Sequence, residues 1–130
     1  MITLRSVAMF SFMTACLVGC EGGKIAGRVI PGAGNVVLVV DENDPRCKDE
    51  GLANVNVVIR RYMGEGQSGS IVASGVTEAS GDFRFPLTNK DAERYELQVT
   101  ATTPDKRISK GRIFIPAPGK QVLVVIRDAQ

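Results

Sequence analysis

The chain has 130 residues, a formal net charge of +2, and neither histidine nor tryptophan. Without histidine there is no Ser-His-Asp or Cys-His nucleophile pair, no His-ligated zinc and no histidine general base. Lysines and arginines are spread along the sequence rather than gathered on one segment, which leaves no electrostatic footprint for nucleic acid. The composition therefore points away from an enzyme, a nucleic-acid binder and a cofactor-dependent protein.

The N-terminus comes first. One cation, Arg5, precedes an uncharged stretch from Val7 to Gly19 in which Ser11 and Thr14 are the only hydroxyl residues. That stretch is about 13 residues long, whereas a helix crossing a bilayer needs roughly 20. It has the form of a secretory h-region, with small Gly19 where a signal peptidase would cut. The ending Leu17-Val18-Gly19-Cys20 resembles the lipobox of bacterial lipoproteins. The resemblance implies diacylglycerol on the Cys20 sulfur, cleavage after Gly19 and acylation of the new amine, typically with palmitate-length chains. More than one chain would anchor the protein firmly, since a single myristoyl chain binds only marginally. The alternative is an ordinary secreted chain cut near Gly19, with Cys20 left as a free thiol. Met13-Thr14-Ala15-Cys16 is a second, poorer match. Glu21 follows the cysteine; an Asp there tends to retain lipoproteins at the inner membrane of enteric bacteria, so Glu21 favours the outer one.

These readings divide the chain into a signal segment, 1–19, a lipidated Cys20 with a short tether, 20–23, and a domain, 24–130. Removing 19 of the 130 residues leaves 111, with the net charge reduced to +1 by loss of Arg5. A chain of that size buries roughly 65% of its unfolded surface, enough for two packed layers. Cys47 is the only cysteine left beside Cys20. With Cys20 lipidated no intramolecular disulfide is possible, and the core alone must hold the fold.

Along that domain the patterning has period two. Ile25, Gly27 and Val29 open a first strand, and residues 36–40, VVLVV, form a strand or strand extension. Val55, Val57 and Ile59 alternate with Asn56, Val58 and Arg60. Residues 71–77 make another strand, and residues 78–81, EASG, a compact hairpin loop with Gly81 free to take positive φ. Phe83, Phe85 and Leu87 point inward on a strand over 82–87, whose Pro86 cannot donate to a ladder and so marks an edge. Residues 88–94 suggest a single helical turn. The clearest strand is 94–101, with Tyr95, Leu97, Val99 and Ala101 on one face. Residues 108–115 follow. The last strand, 121–127, is apolar on both faces from Val122 to Ile126, as a central or partner-covered strand would be. The expectation is an all-β, seven- to eight-stranded antiparallel sandwich.

Four stretches carry a family resemblance. They are Gly27-Arg28-Val29; Gly51-Leu52-Ala53-Asn54-Val55-Asn56-Val57; Thr77-Glu78-Ala79-Ser80-Gly81-Asp82-Phe83-Arg84-Phe85; and Tyr95-Glu96-Leu97-Gln98-Val99-Thr100-Ala101. In order they resemble the carboxypeptidase-regulatory-like domain, a transthyretin-like seven-stranded sandwich, over residues 24–127. The segment 38–50 departs from that pattern as an insertion, and the customary Gly-Tyr after the Y-x-L strand is missing. The resemblance implies a fold but little about function. It does argue against the enzymatic relatives, since hydroxyisourate hydrolases and intradiol dioxygenases both depend on histidine.

Three candidate sites remain. Residues 41–50 carry Asp41, Glu42, Asp44, Asp49 and Glu50, a density that could hold calcium, against the simpler reading of a solvated loop. The EF-hand pattern fails there, with Arg46 at the sixth position and Leu52 at the twelfth. Cys47, beside Arg46 and Lys48, is a thiol for redox or pairing chemistry, a bystander, or a group tucked under the loop. Lys24 and Asp128, with Glu96, could form an isopeptide bond only if buried. The expected role is a lipid-anchored structural or protein-interaction module of the cell envelope, held at the membrane by its lipid and bound to an envelope protein or polymer through an edge strand or loop. The alternative is a glycan- or small-ligand-binding lipoprotein, for which Phe114, Tyr62 and Tyr95 are the available stacking surfaces.

Overall fold

Alternation along the chain becomes two stacked sheets. The computed structural model describes residues 23–88 and 90–129; the segment 1–19 and the Gly19–Cys20 seam lie outside them. The strands are β1 Lys24–Gly32, β2 Val36–Asp41, β3 Asn56–Arg61, β4 Ile71–Val76, β5 Asp82–Pro86, β6 Leu97–Thr102, β7 Ile108–Ile113 and β8 Lys120–Arg127. One sheet has the order β2-β8-β1-β5 and the other β4-β3-β6-β7. The fold is thus an all-β sandwich of eight strands. Its pairing departs from the antiparallel expectation at one place: β1 runs parallel to β8, from Gly27↔Val122 to Gly32↔Arg127. The loop after β7 returns the chain to the end where β1 begins, so the two strands set out in the same direction.

Between the sheets, Val57 and Ile59 of β3 lie opposite Ala101 and Val99 of β6 in register, and all four are fully buried. Val29 of β1 and Val122, Val124 and Ile126 of β8 face them from the other sheet. Burying each such side chain contributes about 1.5–3 kcal/mol relative to leaving it exposed. Phe83 and Phe85 stack with ring centroids 5.1 Å apart. Gly27 makes room for them, since a Cβ there would fall 2.5 Å from the Phe83 ring.

Strand β6 starts later than its alternation suggests. Residues 90–94 form a short 3-10 helix, Lys90–Arg94, and the Tyr95 N–H bonds back to the Ala92 carbonyl at 3.3 Å. Ala92 plugs the core from this turn, leaving Tyr95 half-buried ahead of the strand. The turn at 78–81 also needs correction as a hairpin. It closes locally, Glu78 N–H donating to the Asp82 carbonyl and Gly81 N–H to the Glu78 carbonyl, both at 2.9 Å. Its flanking strands, however, belong to different sheets, so it is an arch between layers. Gly81 has φ 91° as expected, and a Cβ on it would lie 2.6 Å from the Gly51 Cα.

The apolar outer face of β8 is covered by the chain itself. Leu123 is fully buried there with Ile30 and Val40, and Leu38, Cys47 and Val125 pack against them. The cover is the segment beyond β2, which carries the 3-10 helix Pro45–Lys48. β8 is therefore both central in its sheet and lidded by the segment after β2.

Thr77 has a structural task that its place in the motif did not reveal. Its buried hydroxyl accepts from the Val55 N–H at 3.0 Å and donates to the Leu52 carbonyl at 2.7 Å, tying the approach to β3 onto the arch. Thr77→Val should destabilise the domain by about 1–3 kcal/mol in urea unfolding, because it strands two buried backbone groups. Thr77→Ser, which keeps the hydroxyl, should stay close to the parent.

Candidate functional site

The acidic loop does not gather its carboxylates. Asp44 caps the 3-10 helix, accepting from the Arg46 N–H at 2.9 Å and from its Nε and Nη2 at 3.0 and 2.9 Å. These bonds hold its carboxyl well below the ordinary range, at about 2. Asp41 meets Lys120 Nζ at 3.1 Å. Asp49 offers its carbonyl to Arg28, whose Nη1 also reaches Asp82 at 2.9 Å. Among the described residues no three Asp, Glu or Cys side chains converge as a ligand set. The geometry is that of a loop stiffened by its own Arg46 and tied to the sheet by Arg28 of β1 and Lys120 of β8.

Cys47 is half-buried and unpaired. Its sulfur lies 3.8 Å from the Asp41 carbonyl and accepts from Gln121 Nε2, on the flank of the outer apolar cluster. The sulfur thus helps seat the lid on β8. Lys24 and Asp128 fall at opposite ends of the parallel β1–β8 pair: Lys24 opens β1, while the Asp128 N–H bonds to Gly32 at its far end. About eight residues at ~3.3 Å each separate them, so no isopeptide bond can form.

Two of the three aromatic candidates are already engaged. The Arg61 guanidinium sits 4.0 Å from the Tyr95 ring centroid and that of Arg112 4.5 Å from Tyr62. Such contacts occupy the faces a sugar would need. Phe114 is left exposed at 59%.

The sheet edges distinguish themselves more sharply. A sandwich has four, and each presents every second residue's N–H and C=O outward. On β2, Val37 is wedged against β7, where a Cβ on Gly111 would meet Val37 Cβ at 2.6 Å, and the Asp41 carbonyl accepts from the Asp44 N–H. On β5, as its sequence suggests, Pro86 has no donor to offer and lies at the edge; Arg84 is exposed beside it. β7 carries exposed Lys110 and Arg112. β4, sequence IVASGV, carries no charge at all. Thr77 directs both its backbone groups toward β3, through Val55 and Asn54, so by alternation Ser74 and Val76 direct theirs outward. The Val72 carbonyl, also outward, takes the Thr88 N–H at 2.9 Å, but Ser74 and Val76 have no backbone partner among the described residues. Ile71 and Val76 flank this edge at 44% and 54% exposure. The lack of charge over 71–76 was a readable signal, but nothing in the sequence showed that this strand would be peripheral.

No protein-family model and no curated protein matches this chain.

Asp44 gives a direct check on the tied-down loop. Its folded-state value lies below the unfolded one, near 3.9, so ionised Asp44 favours the folded loop above that pH. The contribution fades as pH falls through about 2. A carboxyl-carbon NMR titration should place its midpoint near that value, and Arg46→Ala should return it toward the ordinary range.

Proposed function

We propose that this protein is a lipid-anchored β-sandwich of the bacterial envelope that binds an extended segment of an envelope protein by strand addition to β4. The observation that carries the reading is the free β4 edge: outward backbone groups at Ser74 and Val76, no charge, and exposed apolar flanks. Added strands gain affinity from main-chain hydrogen bonds and specificity from alternate side chains. The uncharged edge suits a partner strand with apolar residues beside Ile71 and Val76. No catalytic role is assigned, in keeping with a chain that has no histidine.

The lipid anchor rests on the lipobox resemblance at Leu17 to Cys20, and the outer membrane is favoured by Glu21. The transthyretin-like, carboxypeptidase-regulatory-like relationship is supported by where its motifs fall. Gly27-Arg28-Val29 lies on β1, Val55 to Val57 leads into β3, the Thr77 to Phe85 stretch makes the arch into β5, and Leu97 to Ala101 lies on β6. The segment that departs from the pattern contributes much of β2 and the lid, which accounts for an eighth strand beyond the family's seven.

Two outcomes test this. Cys20→Ser should leave an unprocessed precursor that takes up no lipid label; a mature, membrane-bound Cys20→Ser protein would remove the anchor. A photo-crosslinking residue at Ser74 should capture one envelope protein in intact cells, and Val76→Lys should abolish that adduct while leaving the fold unchanged by circular dichroism. An adduct that survives Val76→Lys, or that forms equally well from Lys110, excludes strand addition at β4.

A further inference from the structure

The two ends of the sandwich carry different loops. At one end lie the start of β1, the end of β5 and the loop between β7 and β8. The Leu87 N–H bonds to the Gly23 carbonyl at 2.9 Å, and Lys24 pairs with Pro86. Beside them is an open groove of about 510 Å³ lined by Lys24, Leu87, Ile115, Pro116 and Pro118, with Glu93 the one acidic residue on it. The opposite end carries Asp105, Lys106, Arg107, Arg127 and Asp128. Both ends carry charge, the first through the Asp41–Lys120 pair, Glu42 and the Lys90–Arg94 turn, but the groove itself is mostly apolar.

Residues 114–119, FIPAPG, carry no charge. Two prolines remove two backbone donors from the loop. The Lys120 N–H closes onto the Ala117 carbonyl, and the Gly119 carbonyl accepts from the Glu42 N–H, both at 3.0 Å. Ile113 and Ile115 on either side of Phe114 turn toward the core, which leaves Phe114 directed outward. Phe83 and Phe85 are buried and both domain tyrosines half-buried, so Phe114 is the exposed aromatic of the described residues. Lys24, on the groove with Ile115 and Pro116, is exposed and makes no ion pair among the described residues.

We propose that this end is a lipid-facing foot, on which Phe114 and its uncharged loop enter the headgroup region of the leaflet that holds the anchor, with Lys24 against anionic headgroups. The inference rests on lipidation of Cys20. It follows from reach: Gly23 is already fixed to β5, so Cys20 stands three residues away, about 10 Å at ~3.5 Å per residue. A chain held that closely must turn one surface to the bilayer, and the end nearest the tether is the one with an exposed aromatic, an uncharged loop and a free cation. Exposed phenylalanine is among the apolar side chains that bury at the headgroup/acyl boundary, and nearby cations are drawn to anionic lipid.

The absence of tryptophan makes the test clean. Phe114→Trp and Ile108→Trp each place one indole in the chain, about six strand residues or ~20 Å apart, at exposed positions near opposite ends. The full-length lipidated variants are purified from membranes and reconstituted into vesicles of phosphatidylglycerol and brominated phosphatidylcholine. Both should co-sediment with the vesicles, and Phe114→Trp emission should be blue-shifted and quenched several-fold more strongly than that of Ile108→Trp. Equal quenching, or none, in co-sedimenting protein overturns the foot while leaving the anchor standing. Loss of co-sedimentation overturns the anchor and the foot with it.

Discussion

Everything in this fold is arranged around a strand that needs apolar cover on both faces. β8 sits between β1 and β2 with Val122, Val124 and Ile126 turned to the interior and Leu123 and Val125 turned the other way. A sandwich naturally covers one face of each sheet and leaves the other to water. The outer face of β8 would then present leucine and valine to solvent. The segment after β2 resolves this by folding back over it, and it is held there by the Arg28 guanidinium on the Asp49 carbonyl, Gln121 on the Cys47 sulfur and the Glu42 N–H on the Gly119 carbonyl. The ties of residues 41–50 thus serve a hydrophobic purpose. They secure a lid whose apolar contribution, Cys47 included, faces inward.

The same central strand determines which edges remain. Because β1 and β2 both pair with β8, the N-terminal strand is interior to its sheet and β2 becomes peripheral. Open edges invite unwanted pairing, and proteins blunt them with proline, charge or packing. Three of the four edges here show such devices: Val37 against Gly111, Pro86 with Arg84, and Lys110 with Arg112. β4 shows none along Ser74 to Val76. An edge left unguarded while its neighbours are guarded is better explained by use than by neglect, and that contrast underlies the strand-addition reading.

Much of the fold was legible in the sequence because period-two patterning is a direct record of half-buried strands. Val55, Val57 and Ile59, and Leu97, Val99 and Ala101, turned inward as their spacing required. Pro86 marked an edge because a missing donor has only one comfortable place in a sheet. Other features were set by tertiary partners and left no local trace. The arch at 78–81 has the composition of a hairpin, and only the assignment of β4 and β5 to different sheets distinguishes it. The parallel β1–β8 pair joins residues far apart in the chain, so no local pattern could announce it. The acidic loop drew attention for its carboxylates, whereas its place in the fold is set by Arg28 and Gln121 on the strands beneath it. The β4 edge escaped notice for the converse reason: an uncharged strand reads as interior until its neighbours are known.

The placement of Gly23 at the head of β1 also has a mechanical consequence. β1 is held by β5 along one side and β8 along the other, with its bonds running across its axis. A force applied at Gly23 along that strand must shear both ladders together instead of peeling them open one bond at a time. Resistance to such a load is a matter of unfolding rate rather than equilibrium stability. A partner gripping β4 pulls on the other sheet, so the load passes through the close-packed interior between the layers. Under the anchoring and β4 binding proposed above, membrane and partner would draw on the two sheets along this shear direction.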